Sequence, residues 1–274
     1  MKHEPEKDSL GDRMKDYENF GACGQRLMPF LPTILRLDGK CFHSFTKGLA
    51  RPFDDGFARL MLETTIAMVG ETCARIGYTQ SDEITLVLEG ETDKSQPYMG
   101  GRVFKIISVL AATCSAAFNQ RLPEFLPSKV GQLPVFDCRA FNVPNRTEAV
   151  NCLIWREKDA VRNSISAVAQ SLYSHNELFW KSCDEMQEMI FAKGQNWNDY
   201  LDRHKRGAYV RRSIVEGKLA AYEIDELPPL HHARQNPDMV VRRHRIEAIN
   251  LPVMTKIVNR EAVVFDGESP TVLP

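Results

Sequence analysis

The order of apolar patterns between residues 33 and 143 restricts the fold of this chain more than any other feature. "TILRLD" (33–38) is β-branched and apolar and reads as a strand. Residues 55–76 then space Phe57, Leu60, Met61, Thr64 and Met68 along one helical face, with Gly77 as a stop. "GYTQSDEITLVLEG" follows as a short strand, a polar turn at Gln80–Glu83 and an apolar strand over 84–88, which is a hairpin signal. Residues 101–121 carry the clearest helical stripe, from Val103 and Ile106 through Leu110 and Cys114 to Phe118, with Arg102 and Lys105 off it. "LPVFDCRAFNVP" (133–144), bounded by prolines, reads as one more strand. The order β-α-β-β-α-β is the ferredoxin-like split unit. The predicted class is therefore α+β. A ferredoxin-like βαββαβ domain occupies residues 1–145, and a mainly helical C-terminal extension occupies 146–274, packed with it as one unit. Ile165, Val168, Ala169 and Leu172 support the helices, "GAYVRRSIV" (207–215) reads as a strand, and the proline-interrupted 227–274 gives no clear pattern.

That strand order bears on an odd residue. The apolar run 33–37 ends on Asp38, followed by Gly39, Lys40, Cys41, Phe42 and His43. In a split unit the first and third strands are antiparallel neighbours, so the end of one lies beside the start of the other. "SDE" (81–83) opens the third strand, which sets Asp38 near Asp82 with Glu83 adjacent. Taken singly, an Asp before Gly is ordinarily a turn residue, and "SDE" at a hairpin is ordinarily solvated turn chemistry. Two carboxylates brought together repel, and one resists ionising unless a cation sits between them. Hard oxygen ligands suit Mg²⁺, which takes one or two carboxylates and completes its shell with substrate phosphates. Gly39 lets backbone come close, the amides of 39–43 are placed to cradle phosphate, and Lys40, Lys47 and Arg51 add positive charge.

Other chemistries lack their signatures. There is no G-x-x-x-x-G-K-[ST], no G-x-G-x-x-G after a strand, no H-E-x-x-H and no G-x-S-x-G. What remains is metal-assisted chemistry at phosphorus, of the polymerase-palm or nucleotide-cyclase type. The seven cysteines are scattered and never spaced C-x-x-C, which argues against a disulfide framework or zinc ribbon and fits a reducing, cytoplasmic setting. No apolar run reaches the roughly 18 residues of a membrane span, and the charged first twenty residues lack the apolar centre of a secretory leader. Net charge is −1, yet residues 201–245 hold ten Lys/Arg against six Asp/Glu. Arg203, Lys205, Arg206, Arg211, Arg212, Arg242 and Arg243 are thus candidates for a nucleic-acid backbone, against the ordinary reading of a solvated face.

The blocks "LRLDGKCFHSF", "ARPFDD", "GYTQSDEITLVL", "RVFKIISVLAATCSAAF", "FDCRAFNVP", "WREKDAVRNSISAVAQ", "GQNWND" and "KRG", in this order over roughly 8–260, resemble the tRNA-His guanylyltransferase family. Within it the likeness is to the guanylyltransferase-like 3′-5′ RNA polymerases that repair tRNA 5′ ends. The resemblance implies a palm-like fold and two Mg²⁺ ions at Asp38, the Gly39 carbonyl and Asp82, with Glu83 nearby. It implies ATP or GTP held by Asp38–His43, Ser81 and Asp82, and tRNA as partner of a homotetramer. Arg51 falls where the family commonly has lysine, a change that matters at a phosphate. Lys105, Asp159, Asn163, Asn196 and Asn198 match further polar positions, for a second nucleotide or the RNA 5′ end. Members that add guanosine to tRNA-His carry His-Ile-Asn-Asn after the Trp-Arg block. Here Val161 and Arg162 precede Asn163, which favours templated repair of truncated tRNA over G-1 addition. The rival readings are a non-catalytic tRNA-binding module and a nucleotide cyclase.

Overall fold

The computed structural model describes residues 9–19, 24–89 and 96–272. Six strands, β1 (Thr33–Gly39), β2 (Ile76–Gln80), β3 (Glu83–Leu88), β4 (Phe136–Asn142), β5 (Ala208–Lys218) and β6 (Val240–Ile249), form one sheet in the order β4-β1-β3-β2-β5-β6. Every pairing is antiparallel. Helices α1 (Ser9–Asn19), α2 (Phe42–Phe45), α3 (Asp55–Thr72) and α4 (Val103–Phe125) accompany the first four strands. After them come α5 (Arg146–Leu172), α6 (His175–Leu178), α7 (Cys183–Ala192) and α8 (Asp202–Lys205), then α9 (Ala221–Glu226) and α10 (His232–Gln235) between β5 and β6. The β-α-β-β-α-β order is present as the apolar patterns predict. The helical extension holds from α5 to α8; beyond it β5 pairs with β2 and β6 with β5, lengthening the sheet.

Alternation decides which face each strand residue serves. Leu35 and Leu37 of β1, with Ile84 and Leu86 of β3, are fully buried against Leu60 and Met61 of α3 and Ile106, Leu110 and Phe118 of α4. Phe118 lies 5.4–5.8 Å, ring to ring, from Phe42, Phe45 and Phe136, so α2 and β4 are tied into the same core. On the other face Ile34, Ile76, Tyr78 and Val87 pack beneath Ala149, Val150 and Leu153 of α5 and a C-terminal group that includes Met254 and Val263. By length and composition α4 could cross a membrane, contrary to the sequence expectation, but its buried stripe lies on the sheet as a core helix.

Two boundaries have local causes. Asp54 starts α3 by accepting a hydrogen bond from the Phe57 amide at 2.9 Å. The helix stops at Thr72, where Cys73 turns left-handed (φ 57), four residues before the expected stop. Gly77 instead lies inside β2, where a Cβ would come within 2.7 Å of Val69 Cγ2; its absence lets α3 lie close on the sheet.

Candidate active site

The β1–β3 register sets Asp38 opposite Glu83, and the β1–β4 register sets it opposite Asp137. Three carboxylates therefore share one row on the α5 face of the sheet. Asp82 sits one step beyond, at the turn, where its carbonyl accepts from the Gly39 amide at 3.1 Å. Asp38 and Asp82 do meet at this end, although the cross-strand partner of Asp38 is Glu83. Ser81, left-handed at φ 48, donates its hydroxyl to Asp82 Oδ1 at 3.0 Å.

Burial pushes the Asp82 carboxyl above its ordinary range, and the Asp38 charge pushes it further, while Ser81 and His43 oppose them. Glu83 is raised chiefly by burial, against the pull of Arg156, whose Nε donates to Glu83 Oε1 at 2.6 Å. Arg156 also reaches Asp159 at 3.0 Å, and Asp159 accepts in turn from Arg162 and from Asn163 at 3.2 Å. Glu83 is thus pinned by α5, which leaves Asp38, Asp82 and the exposed Asp137 as the carboxylates that can face a ligand.

Two carboxylates within electrostatic reach, one of them half-buried and harder to ionise, suit a divalent cation. No group of three or more His, Cys, Asp or Glu side chains among the described residues could hold a metal unaided. Asp38 and Asp82 with a main-chain oxygen make a partial shell, the kind that Mg²⁺ completes with water and substrate phosphate.

The turn after β1 is shaped by packing. A Cβ on Gly39 would lie 2.3 Å from the Phe42 ring, so glycine is what lets Phe42 fold back into the core. The amides of Gly39 and Lys40 are taken by the carbonyls of Asp82 and Val135, the second at 2.9 Å. This removes two of the five amides expected to cradle phosphate. Those that follow lie at left-handed Cys41 (φ 57, ψ 33) and the start of α2, where helix amides lack intrahelical partners. A cavity of about 330 Å³ opens there, lined by Gly39, Cys41, Phe42, His43, Thr46, Ser81 and Asp82.

The remaining expected residues divide. Asn163 belongs to the Arg156–Asp159 network. Asn196 and Asn198 flank Trp197, whose indole donates to Ser164 at 3.0 Å, so this loop packs beside Asn163. Asn196 accepts from the Asn198 amide. Arg51 is exposed on the loop before α3. Lys105 does not reach this site: its neighbour Ile106 lines a cavity with Thr33 and Leu88, at the opposite end of β1, roughly 16 Å from Asp38.

Most of the first basic cluster is committed internally. Arg203 bonds Asp55, Lys205 donates to the Asn198 carbonyl at 2.8 Å, and Arg206 pairs with Asp202 at 2.7 Å and approaches Glu157. Arg211 donates to the Val263 carbonyl at 2.8 Å and to that of Gly267. These four are structural in place rather than open to a backbone phosphate. Arg212, Arg242 and Arg243 instead line a cavity of about 440 Å³ with Arg75 and His244, although Arg243 also bonds Glu223. Sequence reasoning missed Asp137 and Arg156. Asp137 was within reach, since "FDCRA" read as a strand and β4 borders β1 in a split unit.

The family model for tRNAHis guanylyltransferase matches residues 11–144. A bacterial tRNA(His) guanylyltransferase-like protein solved with ATP is 38% identical, covering 74% of this chain and 88% of that one, with a TM-score of 0.70. A bacterial protein of the same description solved with GTP is 31% identical, covering 91% and 95%, with a TM-score of 0.70. The tRNA(His) guanylyltransferase of Saccharomyces cerevisiae is 25% identical over 230 residues, which is 73% of this chain and 91% of that protein.

Proposed function

This chain belongs to the tRNAHis guanylyltransferase family, and from that premise we propose that it is a nucleotidyltransferase that extends the 5′ end of tRNA. The observation that carries the reading is the meeting of Asp38 and Asp82 beside the Gly39–His43 turn. Similar bacterial proteins hold ATP and GTP, which supports a triphosphate in the cavity at that turn.

Asp38 and Asp82 would hold Mg²⁺, which when bound would supply the charge to lower the pKa of an attacking hydroxyl and to neutralise a leaving group. In the proposed step the 3′-hydroxyl of an incoming nucleoside triphosphate attacks the activated 5′ phosphorus of the RNA. The new phosphodiester forms as the activating group leaves, pyrophosphate in the case of a 5′-triphosphate end. Asp38 and Asp82 position the reacting groups, Lys40 in the turn offers positive charge, His43 on the cavity wall offers a ring N–H, and Arg156 holds Glu83 by a hydrogen bond. Backbone contact with tRNA falls to Arg212, Arg242 and Arg243, whose cavity is bordered by cations.

The finer proposal is templated repair of 5′-truncated tRNA rather than G-1 addition. It is supported by Val161 and Arg162 standing where the guanosine-adding members carry His-Ile-Asn-Asn. Pairing with the opposite strand then chooses the base. Incubation of 5′-truncated tRNAs with single labelled nucleotides should give addition only where the nucleotide matches the template. Guanosine added whatever the template would favour G-1 addition, and no pyrophosphate release at all would favour a binding module.

A further inference from the structure

Half of the α5-side face of the sheet is open. Ile34 is fully buried beneath α5, but the residues that continue its row on β1 and β4 are not. Arg36 stands opposite Arg139 and Asp38 opposite Asp137, and Asp137, Arg139 and Phe141 are exposed. The wall of this shelf is the flank of α5 that carries Trp155. Trp155 is 55% exposed, with the Arg36 guanidinium 5.4 Å and the Arg156 guanidinium 4.6 Å from its ring centre.

A single exposed aromatic needs no cover in itself; what sets Trp155 apart is that its ring lies beside two guanidinium groups, one of them on the strand face that carries Asp38. The surroundings indicate its ligand. Arg36, Arg139, Asp137 and Asp38 leave no continuous apolar rim for a protein partner, whereas two arginines beside an exposed indole suit the flat face and phosphate edge of a nucleotide. The place is also specific. Arg36 is two residues from Asp38 on the same face, about 6.6 Å along the strand, or about two stacked nucleotide steps. Arg156 joins Trp155 to the same row from the other side, through Glu83.

We propose that Trp155 is the platform on which the terminal base at the 5′ end of the RNA substrate stacks, with Arg36 steadying the ring. The proposal rests on the 5′-extension reading, and it names the subsite that positions the RNA end for that reaction. Trp155 acts on alignment and affinity. The cavity proposed for the triphosphate is at the turn beyond Asp82 and is not lined by Trp155, so nucleotide binding should be independent of it.

The test uses an acceptor-stem hairpin with a recessed 5′ end and 2-aminopurine as its 5′-terminal base, mixed with protein in the absence of nucleoside triphosphate. Wild type should quench the fluorophore, Trp155→Phe should quench it less, and Trp155→Ala should lose most of the effect. Trp180→Phe, at an exposed tryptophan outside the site, should match wild type. In steady-state addition assays Trp155→Ala should raise KM for RNA about ten-fold, the low end of what one base–aromatic stack contributes. KM for the nucleotide should be unchanged. Quenching and RNA KM at wild-type values in both Trp155 variants overturn the proposal. So does a changed oligomeric state in Trp155→Ala, which would assign the indole to a second copy of the chain. Trp155-dependent quenching without any nucleotide addition would leave the platform standing and remove the reaction assigned to it.

Discussion

Four consecutive residues of β1, Leu35 to Asp38, serve two regions with opposite demands. Leu35 and Leu37 point into a closed face that is fully buried under α3 and α4, while Arg36 and Asp38 point onto a face that α5 covers only in part. The backbone is shared, so the difference lies wholly in alternation. The closed face makes the sheet rigid and fixes the register, and a slip by one residue would bury Arg36 and Asp38 and expose both leucines. The open face can then hold a row of like charges that would be costly elsewhere. Stability and chemistry are separated by strand parity, not by domain.

The comparison breaks most severely where the closed face is hollowed. Phe118→Ala removes the ring around which Phe42, Phe45 and Phe136 gather and should cost about 3–5 kcal/mol in denaturant unfolding. A cost under about 1 kcal/mol would mean that this face does not carry the fold. A somewhat smaller loss, about 3 kcal/mol, is expected for Arg156→Met, which leaves Glu83 buried and unpaired on the other face. Adding Glu83→Leu should recover most of that stability without restoring nucleotide addition. If it restores neither, the pair is not the link between α5 and the sheet.

The smallest effect tests how α5 is seated. Burial raises the Glu157 carboxyl above 4.5 despite the Met254 amide at 2.8 Å and Arg206 nearby, and its Oε1 has no hydrogen-bond partner. A carboxyl whose folded pKa is raised binds its proton more tightly when folded. Stability therefore falls as pH rises from 4.5 through the folded pKa and is level above it. Glu157→Gln should melt at a higher temperature than wild type at pH 7, with the gap closing as pH falls to 4.5. An equal gap at both pH values would point to packing instead of charge.

The same contrast explains what could be read in advance. The closed face announces itself through β-branched and helical periodicities, so β1 to β4, α3 and α4 follow from residues 33–143. Asp38 and Asp82 follow too, because strand order in a split unit is predictable. Open and paired surfaces leave weaker traces. "VVRRHRIEAI" carries charge on both faces, so β6 has no alternation to detect. The cluster at 203–206 looks free in sequence because one of its partners, Asp55, lies 148 positions away. Lys105 matches a polar position of the family, yet its helix starts at the far end of β1. Asp137 could have been found, since it opens a strand already expected beside β1.

The most direct test of the account is labelled-nucleotide addition to a 5′-truncated tRNA by Asp38→Ala and Asp82→Ala, each beside wild type and each checked by thermal melting. Both variants should fall to background while melting at or above the wild-type temperature, because each removes one of two mutually repelling charges. Near wild-type addition by either variant, with the fold intact, would contradict the assignment of these two carboxylates to the reaction.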